Sequence, residues 1–287
     1  MTLVPESVFA TSSKRPLINS ASDYAFFNTL LIVRPKLMQA GSPKTNRRDF
    51  IRKSASGLVL GAALPGGAYA SSVSSDRMIA QEGVVVFQGD SITDAGRSKD
   101  DQRANVPSSL GSGYVGLVAA QLLGENPTGG LEIHNRGISG HKVFQLAERW
   151  QEDAIDLQPD ILSILIGVND FWHTLSHDYD GTVEVYEGDY RELLDRTREA
   201  LPAVRLVIGE PFIVEGGTAI DDKWEAFGAY QSAAARIAGD YDAAWVPYQD
   251  VFNEALEEAP ASYWAPDGVH PSLAGNYLMA QAWLDAV

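Results

Sequence analysis

Residues 84–87 read Val-Val-Val-Phe, an apolar run with no polar face. Such a run is typical of a strand that is buried on both sides of a parallel sheet. Gly89, Asp90 and Ser91 then favour a turn and a helix start over a continued strand. The pattern therefore predicts a serine at the carboxyl end of a central strand, where open α/β sheets bind ligands. On these residues alone, Ser91 could equally be a simple helix cap.

Apolar runs and helical periodicity alternate along the rest of the chain. This alternation predicts an α/β protein, a three-layer α/β/α sandwich around a five-stranded parallel sheet with right-handed crossovers. The further strands are predicted over 131–133, 161–166, 204–208 and 243–246. The helices are predicted over 114–123, 141–157, 187–201, 222–238, 251–258 and 272–286, with a loop over 94–113.

The first 70 residues have the pattern of an export signal. Residues 46–53 are basic and contain the pair Arg47-Arg48, 54–70 are uncharged and rich in Ala, Gly and Leu, and Ala68-Tyr69-Ala70 ends the segment. The basic stretch resembles a twin-arginine signal, which predicts cleavage after Ala70 and a periplasmic or secreted protein. A membrane anchor is the alternative, but this apolar stretch is short for a span of about 20 residues.

Residues 1–37 show no clear periodicity and precede the point where such a signal should start. Met38 lies at an ordinary initiator distance from Arg47, so we interpret the beginning of the chain as an over-extended start. The predicted organisation is thus an over-extended start and signal peptide over 1–70, followed by one domain over 71–287. After cleavage, no stable membrane insertion is expected.

Composition excludes several classes of function. The chain has 22 Lys and Arg against 38 Asp and Glu, a formal net charge of −16, which repels nucleic acid and anionic membranes. It contains no cysteine, so disulfides, thiol catalysis and zinc–thiolate sites are excluded. The oligomeric state does not follow from the sequence.

Polar motifs follow the first three predicted strands at one edge of the sheet, and another precedes the last predicted helix. Together with Gly89-Asp90-Ser91, they resemble the SGNH (GDSL-type) hydrolase family in order and over essentially the whole of 71–287. The Ser91 motif reads Gly-Asp-Ser-Ile and lacks the leucine of the family name. The other motifs are Asn-Arg-Gly-Ile-Ser-Gly at 135–140, Gly-Val-Asn-Asp at 167–170 and Asp-Gly-Val-His-Pro at 267–271.

The resemblance implies a flavodoxin-like SGNH fold and a role for each motif. Ser91 would be the nucleophile, His270 its base, and Asp267 the residue that orients the imidazole. The backbone N–H groups of Ser91 and Gly137 and the side-chain amide of Asn169 would stabilise the oxyanion. No cofactor and no metal are expected. The remaining histidines lack partners at metal-ligand spacing and are interpreted as surface or loop residues: His134, His141, His173 and His177.

Four aromatic residues lie next to these motifs in the sequence: Phe171, Trp172, Tyr263 and Trp264. Their rings could flank the cleft and stack on a sugar, although large aromatics are often core residues. The sequence contains no long apolar insertion that would cover a fatty acyl chain. The leading hypothesis is therefore a serine esterase that removes short acyl groups, acetyl above all, from a carbohydrate through an acyl-enzyme. The alternatives are a lysophospholipase or thioesterase with the same site, and a non-catalytic carbohydrate-binding protein.

Overall fold

The computed structural model describes residues 82–287. The predicted start and signal peptide, 1–70, lie outside the described residues. A five-stranded sheet runs in the order β2-β1-β3-β4-β5, and every neighbouring pair is parallel. The predicted α/β fold class is thus confirmed. The strands are β1 (Gly83–Gly89), β2 (Leu131–Asn135), β3 (Ile161–Leu165), β4 (Arg205–Gly209) and β5 (Ala244–Val246).

Helices connect the strands and cover the sheet. The long ones are α3 (Tyr114–Glu125), α6 (Val168–Ser176), α7 (Val183–Ala200), α8 (Gly228–Asp240), α9 (Tyr248–Glu258) and α11 (Leu273–Ala286). The short ones are α1 (Ser91–Asp94), α2 (Pro107–Leu110), α4 (Val143–Glu148), α5 (Trp150–Asp153) and α10 (Ala261–Trp264). Single 3₁₀ segments span Ile155–Leu157 and Asp222–Phe227. Within 82–287, none of these helices is long and apolar enough to cross a bilayer.

The core lies on both faces of β1 and β3. Every residue of β3 is buried, as expected for a parallel strand covered on two sides. On one face, the ring of Phe87 lies 4.9 Å from that of Trp283 in α11, whose indole N–H donates to Ser163 Oγ at 2.9 Å. On α5, Trp150 is fully buried and donates to Thr197 Oγ1 of α7. These contacts fix the sheet, and therefore the strand ends that carry the polar motifs.

Some predicted segments differ from the structure. The loop predicted over 94–113 contains α2, and the helix predicted over 222–238 begins as a 3₁₀ segment ahead of α8. The helix predicted over 141–157 is interrupted, because Arg149 leaves helical geometry between α4 and α5. Conversely, the motif at 167–170 opens a helix: Gly167 takes a φ of +129°, a backbone conformation that favours glycine, and α6 begins at the next residue. Asn169 therefore lies in the first turn of a helix and not in a loop.

Candidate active site

Ser91 is the first residue of α1, directly after β1. The carboxylate of Asp90, not the Ser91 hydroxyl, caps this helix by accepting the Ile92 N–H at 3.0 Å. The Ser91 Oγ instead lies 2.8 Å from Nε2 of His270. The turn is tight, because a Cβ at Gly89 would collide with Leu165 O and the Thr93 side chain. The simple capping role is thus taken by Asp90, and the serine hydroxyl faces the imidazole.

His270 is oriented by Asp267 from the same loop. Asp267 Oδ2 lies 2.7 Å from His270 Nδ1, and Oδ1 accepts the backbone N–H groups of Val269 and His270 at 2.9 and 2.7 Å. Burial raises the pKa of Asp267, but these hydrogen bonds outweigh it and hold the pKa below the ordinary value of 3.8. Asp267 is therefore ionised in the arrangement in which Nε2 of His270 faces Ser91.

The loop that carries Asp267 is held by a second loop. Val214 N–H donates to Gly268 O at 2.8 Å, and Ala219 N–H donates to Asp267 O at 2.9 Å. Gly268 has a φ of +89° and leaves no room for a side chain beside Ile220. The position of the aspartate thus depends on backbone pairing that is remote in sequence.

Such a chain of hydrogen bonds can activate a serine. A neutral hydroxyl is a weak nucleophile, and the imidazole can accept its proton at Nε2 while the carboxylate stabilises the imidazolium. The resulting oxyanion would need preorganised donors. The Ser91 N–H qualifies by position, because the first N–H groups of a helix have no partner within it.

Gly137 does not offer the donor that sequence analysis assigned to it. Its N–H donates to Asn135 Oδ1 at 2.9 Å. A Cβ at Gly137 would lie 2.5 Å from Asp94 N and 2.8 Å from Thr93 C, so this glycine allows the β2 loop to pack on α1. The structure therefore corrects the expectation: the residue has a packing role.

Gly140, which sequence analysis missed, fits the donor role better. Its φ is +80°, and its N–H has no hydrogen-bond partner within the described residues. Its neighbour Ser139 is fixed beside the nucleophile, since both its N–H and its hydroxyl donate to Asp94 Oδ2 at 3.0 and 2.7 Å. Asn169 donates its amide to the carbonyl of His141 at 3.2 Å, which brings this amide next to Gly140. The repeated glycine of the motif was the available signal.

The four aromatic candidates occupy three different environments. Phe171 is 5 % exposed and packs on Trp224, Phe227 and Tyr230, so it is a core residue and does not flank the cleft. Trp264 donates its indole N–H to the last carbonyls of α9, those of Ala255 and Ala259.

The other two candidates are accessible. Trp172 is partly exposed, and its ring centroid lies 6.3 Å from that of His270. Tyr263 is 56 % exposed, and within residues 82–287 its ring contacts only that of Trp264. Of the four, Trp172 is the one placed directly against the Ser91–His270 pair.

Two buried carboxyl groups lie next to the site. Asp90 and Asp170 are 1 % and 2 % exposed, and one oxygen of each, Oδ2, has no hydrogen-bond partner among the described residues. Burial raises the pKa of each carboxyl from 3.8 to about 7. The hydrogen bond from the backbone N–H of Ile92 to Asp90, or of Val143 to Asp170, lowers the pKa but does not outweigh burial. Both groups therefore stay largely protonated below neutral pH.

The histidines other than His270 form no metal site in the part of the chain that the structure describes. His141 accepts from Arg149 Nε at 3.4 Å, and burial lowers its pKa to about 4. His173 lies on α6, where its Nδ1 is 3.0 Å from the ammonium of Lys142. Sequence analysis had interpreted both His173 and His134 as surface or loop residues, but His173 lies on a helix and His134 is buried in β2.

Comparison with known proteins shows the family of this chain. The model of the GDSL-like lipase/acylhydrolase family matches residues 87–278. An acetylxylan esterase from Geobacillus stearothermophilus is 35 % identical over 202 residues, which cover 70 % of this chain and 91 % of that protein. Its crystal structure superimposes with a TM-score of 0.65 at 33 % identity, covering 71 % of this chain and 93 % of that one. A candidate GDSL-like lipase from Parabacteroides merdae gives 0.70 at 50 % identity, covering 71 % and 94 %.

A parallel α/β sheet that presents a hydrogen-bonded serine and histidine at its strand ends defines a class of hydrolases. The chain belongs to the GDSL-like lipase/acylhydrolase family. It is a carboxylic ester hydrolase of the SGNH type.

Proposed function

We propose that this protein is a serine esterase that removes acetyl groups from a carbohydrate through a Ser91-His270-Asp267 triad and an acyl-enzyme intermediate. One observation carries the proposal: the continuous hydrogen-bonded chain from Ser91 Oγ to His270 Nε2 at 2.8 Å and from His270 Nδ1 to Asp267 Oδ2 at 2.7 Å. A binding protein has no need of a nucleophile and a base held in this way.

In the acylation step, Ser91 Oγ attacks the ester carbonyl and its proton passes to His270 Nε2. The carbonyl oxygen becomes an oxyanion that the N–H groups of Ser91 and Gly140 and the amide of Asn169 stabilise. The C–O bond to the sugar then breaks, and the imidazolium gives its proton to the leaving alkoxide. In deacylation, water attacks the acetyl-serine, His270 accepts the water proton, and acetate leaves as Ser91 recovers its proton.

Two observations support a carbohydrate substrate: the activity of a similar protein and the position of one aromatic ring. The similar Geobacillus stearothermophilus protein is an acetylxylan esterase. In this chain, the partly exposed ring of Trp172 next to His270 offers a face on which a sugar can stack. A lysophospholipase or thioesterase would use the same relay but would need an apolar wall for its acyl chain.

The relay is tested by single and double substitution. Ser91→Ala and His270→Ala should each abolish most of the activity, and the double variant should be hardly worse, because the two groups act as a unit. Ser232→Ala, on the exposed side of α8, is the matched control and should retain full activity. Losses that multiply in the double variant would contradict a shared relay.

The substrate class is tested by acyl length. Each methylene that finds no apolar wall forgoes up to about 0.8 kcal/mol of burial, so kcat/KM should be highest for acetyl esters and fall steeply by butyryl. A panel of nitrophenyl esters and acetylated oligosaccharides measures this order. A preference for octanoyl esters would favour the lipid alternative, and binding of glycans without turnover would favour the non-catalytic one.

The export route is a proposal of the same kind, supported by the Arg47-Arg48 pair ahead of an uncharged stretch. Replacing both arginines with lysine should block export, because the signal receptor reads the guanidinium pair and not charge alone. Sequencing the N-terminus of exported protein should give Ser71. An uncleaved N-terminus in the membrane fraction would contradict the processing.

A further inference from the structure

Lys142 and His173 form a polar pair beside the site that the relay does not use. The Lys142 ammonium lies 3.0 Å from His173 Nδ1. It also lies 5.0 Å from the ring centroid of Tyr179 and 5.4 Å from that of Phe144, and these two rings stack on each other. Lys142 is only 8 % exposed. Two aromatic faces and an imidazole nitrogen thus surround the ammonium. Burial lowers the pKa of Lys142, and the nearby carboxyl group of Asp170 opposes this shift.

This pair fixes where the proton of His173 lies. A lysine ammonium has three donors and no acceptor, so His173 Nδ1 must accept and the ring proton must lie on Nε2. A doubly protonated ring would face the ammonium with a second cation. Burial, and after it the charge of Lys142, lowers the pKa of His173 to about 4, so the neutral form persists at neutral pH. His173 therefore carries one N–H donor, on Nε2.

The His173 ring lies next to the proposed oxyanion donors. Asn169 and His173 are four residues apart on α6, so both project from the same face of the helix, about one turn apart. A Cβ built on Gly140 would lie 3.9 Å from His173 Cε1 and would meet no other atom within 4 Å. The imidazole is thus the nearest side chain above Gly140. Trp172, the preceding residue, contacts His270 from the same helix.

We propose that His173 is a specificity-determining residue that donates its Nε2–H to an oxygen of the sugar part of the substrate, and that Lys142 is the positioning residue that fixes this tautomer. The inference rests on the proposed function and adds a second point of contact with the substrate. The carbonyl oxygen of the ester would lie at Asn169 and Gly140. A hydroxyl or ring oxygen of the same sugar would lie about one helical turn away from it, at His173. A fixed donor selects alcohols that carry such an acceptor.

The expected signature is a loss confined to substrates that have this oxygen. A neutral hydrogen bond contributes roughly 0.5–1.5 kcal/mol, so its removal should lower kcat/KM about two- to thirteenfold. His173→Phe keeps a flat ring but has no donor, and the loss should appear with an acetylated oligosaccharide, mainly in KM. Hydrolysis of nitrophenyl acetate, whose alcohol has no sugar hydroxyl or ring oxygen, should change less than twofold.

Two variants separate donation from packing. His173→Gln places an amide N–H about as far from the backbone as Nε2 and should recover most of the lost kcat/KM. His177→Gln is the matched control: this exposed histidine stacks on His173 at 4.3 Å between ring centroids, but it is one turn further from Asn169. It should leave both substrates unaffected. Failure of Gln to rescue while Phe is impaired would show that His173 acts only through packing.

The tautomer is tested independently of activity. Nitrogen-15 NMR of the intact protein should show His173 neutral and protonated on Nε2 between pH 6 and 8, and Lys142→Met should convert it to a mixture of tautomers. A proton on Nδ1 in the wild-type protein would overturn the proposal, because Lys142 would then be the acceptor. Full oligosaccharide activity in His173→Phe would also overturn it. A wild-type protein that cleaves nitrophenyl acetate but no sugar ester would instead overturn the proposed function, and the role of His173 with it.

Discussion

Burial of the Asp170 carboxyl group predicts how the free energy of unfolding depends on pH. In the unfolded chain an aspartate ionises near its ordinary pKa of 3.8, whereas burial in the folded protein raises the pKa of Asp170 to about 7. Between these values the folded protein holds a proton that the unfolded chain has lost. Unfolding therefore releases a proton, and the free energy of unfolding falls as pH rises from about 4 to about 7.

The magnitude follows from the change in pKa. Moving the pKa of Asp170 from 3.8 to about 7 corresponds to a loss of about 4 kcal/mol of stability at pH 8 relative to pH 4. Asp170→Asn removes this titration and preserves the acceptor, because the amide oxygen can still receive the Val143 N–H that Oδ1 accepts at 3.1 Å. The variant should match the wild-type protein near pH 4 and exceed it by up to about 4 kcal/mol at pH 8.

Urea unfolding of the wild-type protein and the variant at half-unit steps from pH 4 to pH 8 measures the difference. Histidines with lowered pKa values contribute equally to both proteins, so their effect cancels. Glu257→Gln, on an exposed position of α9, is the control and should follow the wild-type curve at every pH. A difference between Asp170→Asn and wild type that stays constant from pH 4 to pH 8 would refute the reasoning, because the folded protein would then hold Asp170 ionised throughout.

Four further substitutions separate packing from chemistry. Gly137→Ala should lower Tm by several degrees, measured calorimetrically, because its Cβ would clash with the backbone of α1. Gly140→Ala, at a φ of +80°, should instead lower kcat with little change in the KM of nitrophenyl acetate. Trp264→Phe removes both indole hydrogen bonds to α9 and should lower Tm without raising KM for acetylated oligosaccharides. Trp172→Ala should raise that KM; an unchanged KM in Trp172→Ala, or a raised KM in Trp264→Phe, would contradict the assignment.

The sheet was predictable because it depends on short, local patterns, whereas the roles within the relay followed from the resemblance to a known family. A continuous apolar run cannot be amphipathic, so residues 84–87 could only be buried on two faces, and a glycine-containing turn had to follow. Parallel strands end at one edge, so motifs after successive strands had to converge. This reasoning is sufficient to bring residues 135–140 and Asn169 near Ser91. His270 follows no strand, and its role came from the resemblance to the SGNH family; its Nε2 lies 2.8 Å from Ser91 Oγ, although the two residues are 179 positions apart.

The oxyanion donor was not predictable in the same way. Gly137 and Gly140 lie in one motif and differ in what surrounds them: a Cβ on the first would clash with the backbone of α1, whereas a Cβ on the second would meet only His173, at 3.9 Å. Which N–H is free depends on the side chain of Asn135, whose oxygen takes the Gly137 donor and whose amide holds the carbonyls of Thr93 and Leu110. That choice is made by tertiary contacts.

Of the two aromatic candidates that follow Asn169, Phe171 does not lie at the cleft, for a related reason. Their interpretation assumed that residues after Asn169 form a loop, but α6 continues to Ser176 and gives them helical periodicity. In a helix, neighbours in sequence point in directions about 100° apart, so Phe171 enters the core while Trp172 stays near His270. The same periodicity places His173 on the face of Asn169, which adjacency in sequence alone does not reveal.

The site is thus assembled from loops that are fixed to one another and not only to the sheet. Asp94, buried in α1, accepts two hydrogen bonds from Ser139 and pairs with Lys99, and its pKa lies below the ordinary value because these donors outweigh its burial. The carboxylate therefore joins the nucleophile helix to the segment that carries Gly140. Asn169 joins the same segment to α6 through the His141 carbonyl. The three elements that carry the proposed oxyanion donors are thus hydrogen-bonded to one another. The donors therefore need little reorganisation when negative charge develops on the substrate oxygen.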